Sequence, residues 1–110
     1  MMKIERYGVY WAGLDGPSSL SVANVHPVVV VGHPSFFKPA ESVIVCPLTL
    51  TRQPDWESRI PFICAGIETE IATDQISTIE QSCLKDRIDK LSPAETDALR
   101  ALLNQMLLVE

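Results

Sequence analysis

The sequence is poor in residues that clasp metals and in runs that cross membranes. It holds two histidines and three cysteines, Cys46, Cys64 and Cys83, set far apart with no CxxC pair and no Cys/His cluster. A four-ligand zinc site is therefore not expected, and no other metal or cofactor is called for. Cys46 and Cys64 fall in strand-like runs and read as reduced core residues. No apolar run is long enough to span a bilayer. The opening MMKIERYGVYW lacks the basic, apolar and small-residue regions of a secretory signal, so the expected compartment is the cytoplasm. Repeats, low-complexity segments and linkers are also missing.

An excess of base is lacking too. Nine Lys and Arg stand against 14 Asp and Glu, a net charge of −5, which weighs against a general nucleic-acid coat. The imbalance is local. Residues 1–60 hold five groups of each sign, whereas residues 61–110 hold nine acidic and four basic ones. The N-terminal half is thus neutral and free to present a local basic site.

What remains is a chain of 110 residues with a 46% apolar content, enough for one domain over 1–110 with one core. GVYWAGL, 8–14, reads as a strand. DGPSSLSVAN, 15–24, is a loop of turn formers. PVVVVG, 27–32, reads as a strand buried on both sides, with Pro27 at its first position. HPSFFKPAE, 33–41, is a second loop, and SVIVCPLT, 42–49, a second buried strand whose Pro47 implies an edge or a bulge. LTRQPDWESR, 50–59, is a polar loop. IPFICAG and TEIATDQI are short strands about a turn at Gly66. TIEQSCLKDRIDKL, 78–91, suits a short helical turn followed by a strand.

The end is helical. Ser92 is an N-cap, Pro93 suits the first helical position, and Glu95 completes a capping box. Leu99, Leu102, Leu103, Met106 and Leu107 repeat at helical spacing and should lay one apolar face on a sheet. The expected fold is mainly β with α: a small, strongly bent antiparallel sheet or open barrel with one terminal helix.

The stretch NVHPVVVVGHP, 24–34, places a titratable His26 at the mouth of an apolar strand. By itself His26 reads as a loop histidine ending a strand; the other reading is a group at the rim of an active site. His26 and His33 bracket about seven residues, roughly 20 Å of strand at ~3.3 Å per residue, so within one chain they do not form an acid–base pair.

Taken together, RYGVYWAGLD, the HPVVVV strand, SVIVCPLT, DQISTIEQSCLKDRIDKLSP and the terminal helix, in this order and spacing, resemble the MazF/PemK toxins of bacterial toxin–antitoxin pairs. The resemblance covers nearly the whole chain. It implies an SH3-like small barrel with a C-terminal helix, as in the related CcdB-type gyrase poisons. It also implies a homodimer, metal-independent cleavage of single-stranded mRNA, and a cognate antitoxin that folds onto the dimer. The family's catalytic pair is an arginine directly before the proline of the valine-rich strand and a threonine at the end of the next strand. The threonine position is Thr49. The arginine position holds His26. The preceding loop, usually GSEQ-like, has Ser19, Ser21, Val22 and Asn24 here. The arginine often found after DQI is Ser77.

Histidine suits the exchange chemically. Arginine grips phosphate but is a poor acid–base at neutral pH. An imidazole, with an ordinary pKa of ~6.5, can take or give a proton and, when charged, grip phosphate. A threonine hydroxyl can hydrogen-bond the phosphate without titrating. Arg52 and Arg59 are candidates for contacting an RNA backbone, Trp56 for stacking on an unpaired base, and Ser19 and Ser77 for contacts to RNA. Each has a plainer role open to it: solvated charges for the arginines, partial burial or a dimer contact for Trp56. An alternative reading on the same fold is a module that binds its antitoxin only, or a protein target such as gyrase, without cutting RNA.

Overall fold

The structure, a computed structural model, describes residues 4–13, 25–33 and 42–108. The loop expected over 15–24, with Ser19, and most of that over 33–41 lie outside these residues.

Among the described residues, seven strands and one helix follow one another. They are β1 (Gly8–Gly13), β2 (Val25–Val30), β3 (Ser42–Thr49), β4 (Arg59–Cys64), β5 (Ile67–Ala72), β6 (Ser77–Glu80), β7 (Leu84–Lys90) and α1 (Pro93–Leu107). Single 3-10 turns at Thr73–Gln75 and Gln81–Cys83 flank β6. All described pairings are antiparallel, in the order β4-β5-β3-β2-β1-β7, with β6 also on β3. The two edges approach each other where the backbone N–H of Ala65, after β4, donates to Asp89 Oδ2 of β7 at 3.0 Å. The result is a curled, half-closed barrel with one C-terminal helix.

The four-valine run is apolar on both sides because the sheet has an apolar cluster on each face. Val29 and Val31 enter one cluster with Val9, Cys46, Leu48, Phe62 and Ile71, and this is the face that α1 covers through Leu99 and Leu103. Val28 and Val30 enter the other, with Tyr10, Ala12, Val43, Val45 and Leu84. Alternating side chains of one strand thus supply two cores.

Several local outcomes differ from the sequence expectations. First, β2 begins at Val25 rather than at Pro27, because β1 pairs with it through Ala12↔His26 and Gly13↔Val25. The described ladder to β3 starts only at Val28↔Pro47. The N–H that Pro27 lacks therefore has no β3 partner to miss. Second, β3 is a central strand and not an edge. It pairs with β6 over 42–45 and with β2 over 45–47, then passes to β5 at Leu48 and Thr49. Pro47 stands where β2 is left behind, so its missing donor marks the bend. Third, Met106 and Leu107 at the end of α1 remain 40% and 58% exposed; the apolar stripe is covered only in its first half.

TEIATDQI is a strand only to Ala72 and turns at Thr73–Gln75, and the helical turn expected from 78 comes only at Gln81–Cys83, after β6. Other expectations hold. Ser92 Oγ accepts from Glu95 N at 3.2 Å and Glu95 Oε1 accepts from Ser92 N at 2.9 Å, closing the capping box. The β4–β5 turn uses positive φ at both Ala65 (50°) and Gly66 (85°), the pairing that suits the twist of a tight hairpin. Cys46, Cys64 and Cys83 are buried and unbridged. Burial, aided by the nearby Asp74 charge, pushes the Cys46 thiol up to about 12.

Candidate functional site

At one end of the sheet β2 and β3 part company, and a cavity opens on each face there. The first, about 420 Å³, lies at the end of the helix-covered face, among Trp11, Leu48, Leu50, Cys64, Ile67 and Ile88. The second, about 390 Å³, extends from the other face, among Val28, Val45, Pro47, Gln75, Ser77 and Ile79. Three residues line both: His26, Leu48 and Thr49. His26 and Thr49 therefore stand on the rim between the two hollows.

The strands explain the meeting. His26 lies two residues before Val28 and Thr49 two after Pro47, the last described pair of that ladder. With a side-chain period of two, His26 shares a face with Val28 and Val30, and Thr49 with Val45 and Pro47. His26 is exposed. Thr49 is half-buried, and its Oγ1 accepts from Thr51 N at 3.0 Å. That bond uses an acceptor site of the hydroxyl and leaves its proton to be donated. Ser77, exposed on β6 and opposite Val45, borders the second cavity.

Arg59 is placed differently from the expectation of an RNA contact. Its side chain is only 6% exposed and is held by acids: Nε lies 2.9 Å from Asp74 Oδ1 and Nη1 3.5 Å from Glu70 Oε1. Nη1 also donates to Thr51 O at 3.3 Å, and the guanidinium lies 4.7 Å from the centroid of the Trp56 ring. Arg59 thus fastens the 50–58 loop to the sheet. Burial alone raises the Asp74 carboxyl, but hydrogen bonds from Arg59, from its own backbone and from Ser58 outweigh it and hold Asp74 below the usual carboxylate value. Trp56 is half exposed, with Arg59 against its ring. Arg52 is half exposed and faces Glu68 at 3.3 Å and Glu70 at 3.8 Å. Arg52, Arg59 and Trp56 border neither cavity in its described lining.

Glu70 is the residue least legible in the sequence. It is 1% exposed, sits opposite Thr49 on β5, and accepts from Gln53 N at 2.8 Å. A glutamate in an alternating stretch reads as solvated, and only the covering loop makes it an anchor. Nor does the sequence single out Trp11, which borders the first cavity. It is the exposed position of β1, 39% exposed among buried neighbours.

Among the described residues, no Lys, Arg, Asp or Glu lines either cavity, so His26 is the group there able to bear positive charge. Cys64 presents a thiol whose pKa burial raises, with a further contribution from Asp89; it is a neutral wall. No group of three or more described His, Cys, Asp or Glu residues is disposed to hold a metal ion. A more open hollow of about 710 Å³ lies at the start of α1, but it mixes both signs of charge and its helix end is already capped. No described helix is long and apolar enough to cross a membrane.

The fold matches solved structures over nearly its full length. The toxin MazF-mt6 of Mycobacterium tuberculosis superposes with a TM-score of 0.76 at 18% identity, covering 94% of this chain and 98% of the other. An endoribonuclease in complex with its cognate antitoxin, from a mycobacterial species, gives 0.76 at 19% identity, with 96% and 95% covered. The MazE-MazF crystal structure (Form-II) from Deinococcus radiodurans gives 0.77 at 12% identity, with 97% of each chain covered. At these identities the likeness speaks for the fold. No curated protein sequence matches significantly. The sequence profile of the PemK-like, MazF-like toxins of type II toxin–antitoxin systems, however, matches residues 5–107. The chain belongs to that toxin family.

Proposed function

We propose that the chain is the toxin of a type II pair and cuts single-stranded RNA, without a metal, as a homodimer that a cognate antitoxin neutralises. One observation carries this reading: His26 and Thr49, from neighbouring strands, border the same two cavities. The family supplies the reaction class, and the mycobacterial and Deinococcus structures, solved with antitoxins, supply the kind of partner.

In this reading the imidazole of His26 takes the proton from a ribose 2′-OH. The 2′ oxygen then bonds to the adjacent phosphorus and the bond to the 5′ oxygen breaks. The departing oxygen takes its proton from solvent, and the imidazolium so formed offsets negative charge on the phosphate. The Thr49 hydroxyl donates to a non-bridging phosphate oxygen, positioning it and sharing its charge. Arg52, half exposed beside Glu68, and Trp56 lie on the loop after Thr49, where they meet a longer RNA strand.

The test is incubation of the antitoxin-free protein with a long unstructured RNA in EDTA, from about pH 5.5 to about pH 8.5, the span over which histidines ordinarily titrate. Cut ends are mapped for the native protein, His26→Ala, His26→Arg and Thr49→Ala. Cleavage by the native form that is lost in both alanine variants is expected. RNA left intact by the native form but cut by His26→Arg means a nuclease disarmed at one position.

A second reading has one observation in its favour, the lack of any lysine or arginine in the described lining of either cavity. In it the chain binds an antitoxin or a protein target without cutting RNA. RNA left intact by all four forms decides for it.

A further inference from the structure

Thr49 Oγ1 ends a short chain of hydrogen bonds that starts at a buried cation. Arg59 Nη1 donates to Thr51 O at 3.3 Å, and Thr51 N donates to Thr49 Oγ1 at 3.0 Å. The backbone of one residue, Thr51, therefore carries the hold from Arg59 to Thr49. Arg59 is itself fixed. Its side chain is 6% exposed, with Nε 2.9 Å from Asp74 Oδ1 and Nη1 3.5 Å from Glu70 Oε1. The same Glu70 oxygen accepts from Gln53 N at 2.8 Å, and Glu70 lies opposite Thr49 in the β3–β5 ladder. Two backbone groups of the loop thus end on one buried ion pair, beside the strand that bears Thr49.

The bond from Thr51 to Thr49 is weak when left to itself. It joins residues two apart at an exposed loop start, where water competes for both partners. Fixing the Thr51 carbonyl removes the freedom that would let it break. A threonine hydroxyl has one proton and two acceptor sites. With one acceptor site filled from a fixed direction, the proton swings through a narrower arc. A donor stabilises developing charge best when it is aimed before the reaction begins.

We infer that Arg59 is a positioning residue for the RNA cleavage proposed above, and on that reading acts through the backbone of Thr51 to aim the Thr49 hydroxyl at the scissile phosphate. Glu70 and Asp74 hold the guanidinium in place for this. Arg59 borders neither cavity in its described lining, so it works at one remove and does not itself meet the phosphate.

The experiment is a double-mutant cycle on the antitoxin-free protein, with kcat and KM measured on one natural RNA in EDTA. Native protein, Arg59→Lys, Thr49→Val and the double variant are compared, the slow forms over long incubations. Lysine keeps a cation for Glu70 and Asp74 but lacks the fork that also reaches Thr51 O. Asp74→Asn, alone and with Thr49→Val, loosens the clasp from its acidic side and serves where Arg59→Lys does not fold. Thermal melts set an assay temperature at which every form is native. Arg59→Lys is expected to lower kcat roughly 10- to 100-fold, the scale of a misplacement of up to ~1 Å, with KM within about twofold of native. On the Thr49→Val background it should lower the rate no further, because no hydroxyl is left to aim. Asp74→Asn should follow the same pattern with a smaller loss.

Losses that multiply independently in the double variant overturn the inference, as does an unchanged kcat. A raised KM with kcat intact means that Arg59 meets RNA directly, and overturns it too. All three leave the nuclease reading standing. RNA left intact by the native protein overturns that reading and the positioning role together.

Discussion

Arg59 and Asp74 meet at 2.9 Å, Nε to Oδ1, across the base of the loop that leaves Thr49. The same guanidinium reaches Glu70 and the Trp56 ring, so a single side chain fixes the loop that borders the candidate site.

Acid should loosen this fastening in a defined direction. The folded-state pKa of Asp74 lies below its ordinary value, so its contribution to stability is full above the ordinary carboxylate pKa and is lost as pH falls through the lowered one. In thermal melts taken from neutral to strongly acidic pH, Asp74→Asn should melt below the native protein at neutral pH. The gap should close as the solution is acidified. A gap that stays constant with pH would show that the Asp74 charge contributes nothing.

Removing the cation should cost more than removing one acid. Arg59→Met leaves Glu70, 1% exposed, without its closest cation, and breaking a buried pair from one side typically costs about 3–5 kcal/mol. Glu70→Gln keeps an acceptor for Gln53 N and should cost less. Urea denaturation of the two variants gives the comparison.

The hairpin turn offers a stabilising change. Ala65 adopts φ 50°, a left-handed conformation that costs a residue with a Cβ roughly 1–2 kcal/mol. Ala65→Asn creates the Asn-Gly pair favoured in such turns and keeps the backbone N–H that donates to Asp89. A raised melting temperature is expected, and a lowered one would count against the turn geometry.

The capping box should be measurable at the helix. Ser92→Ala removes the hydroxyl that accepts from Glu95 N and should cost about 1 kcal/mol. Because α1 packs through Leu99 and Leu103, the loss should appear in the global melt rather than as local fraying.

In the proposed reaction the hydroxyl of Thr49, and not its bulk, does the work. Thr49→Ser keeps a hydroxyl that can both accept from Thr51 N and donate to phosphate, whereas Thr49→Val keeps the shape alone. Cleavage should survive in the first and fall roughly 100-fold or more in the second, the scale of one lost transition-state donor. Equal rates in the two variants would remove Thr49 from the chemistry.

The sequence by itself determined the elements whose signals are local. A Ser-Pro-x-Glu start makes α1 wherever the chain places it, because the cap is satisfied within four residues. SVIVCPLT reads as a strand and is one over the whole of 42–49, and the order of such pieces was enough to suggest the toxin family. The tertiary structure decided what depends on partners distant in the chain. Whether Pro47 marks an edge or a bend depends on which strand lies beside it, and β3 changes partners there. Arg59 and Arg52 look alike as loop-end cations, yet one is buried against Asp74 and Glu70 while the other is half exposed. His26 alone reads as punctuation, and only the family resemblance brings it toward chemistry. Its face is set by pairing with β1, and its company with Thr49 by the parting of β2 and β3; a side chain's neighbours across a sheet are fixed by register, which no local stretch of sequence encodes.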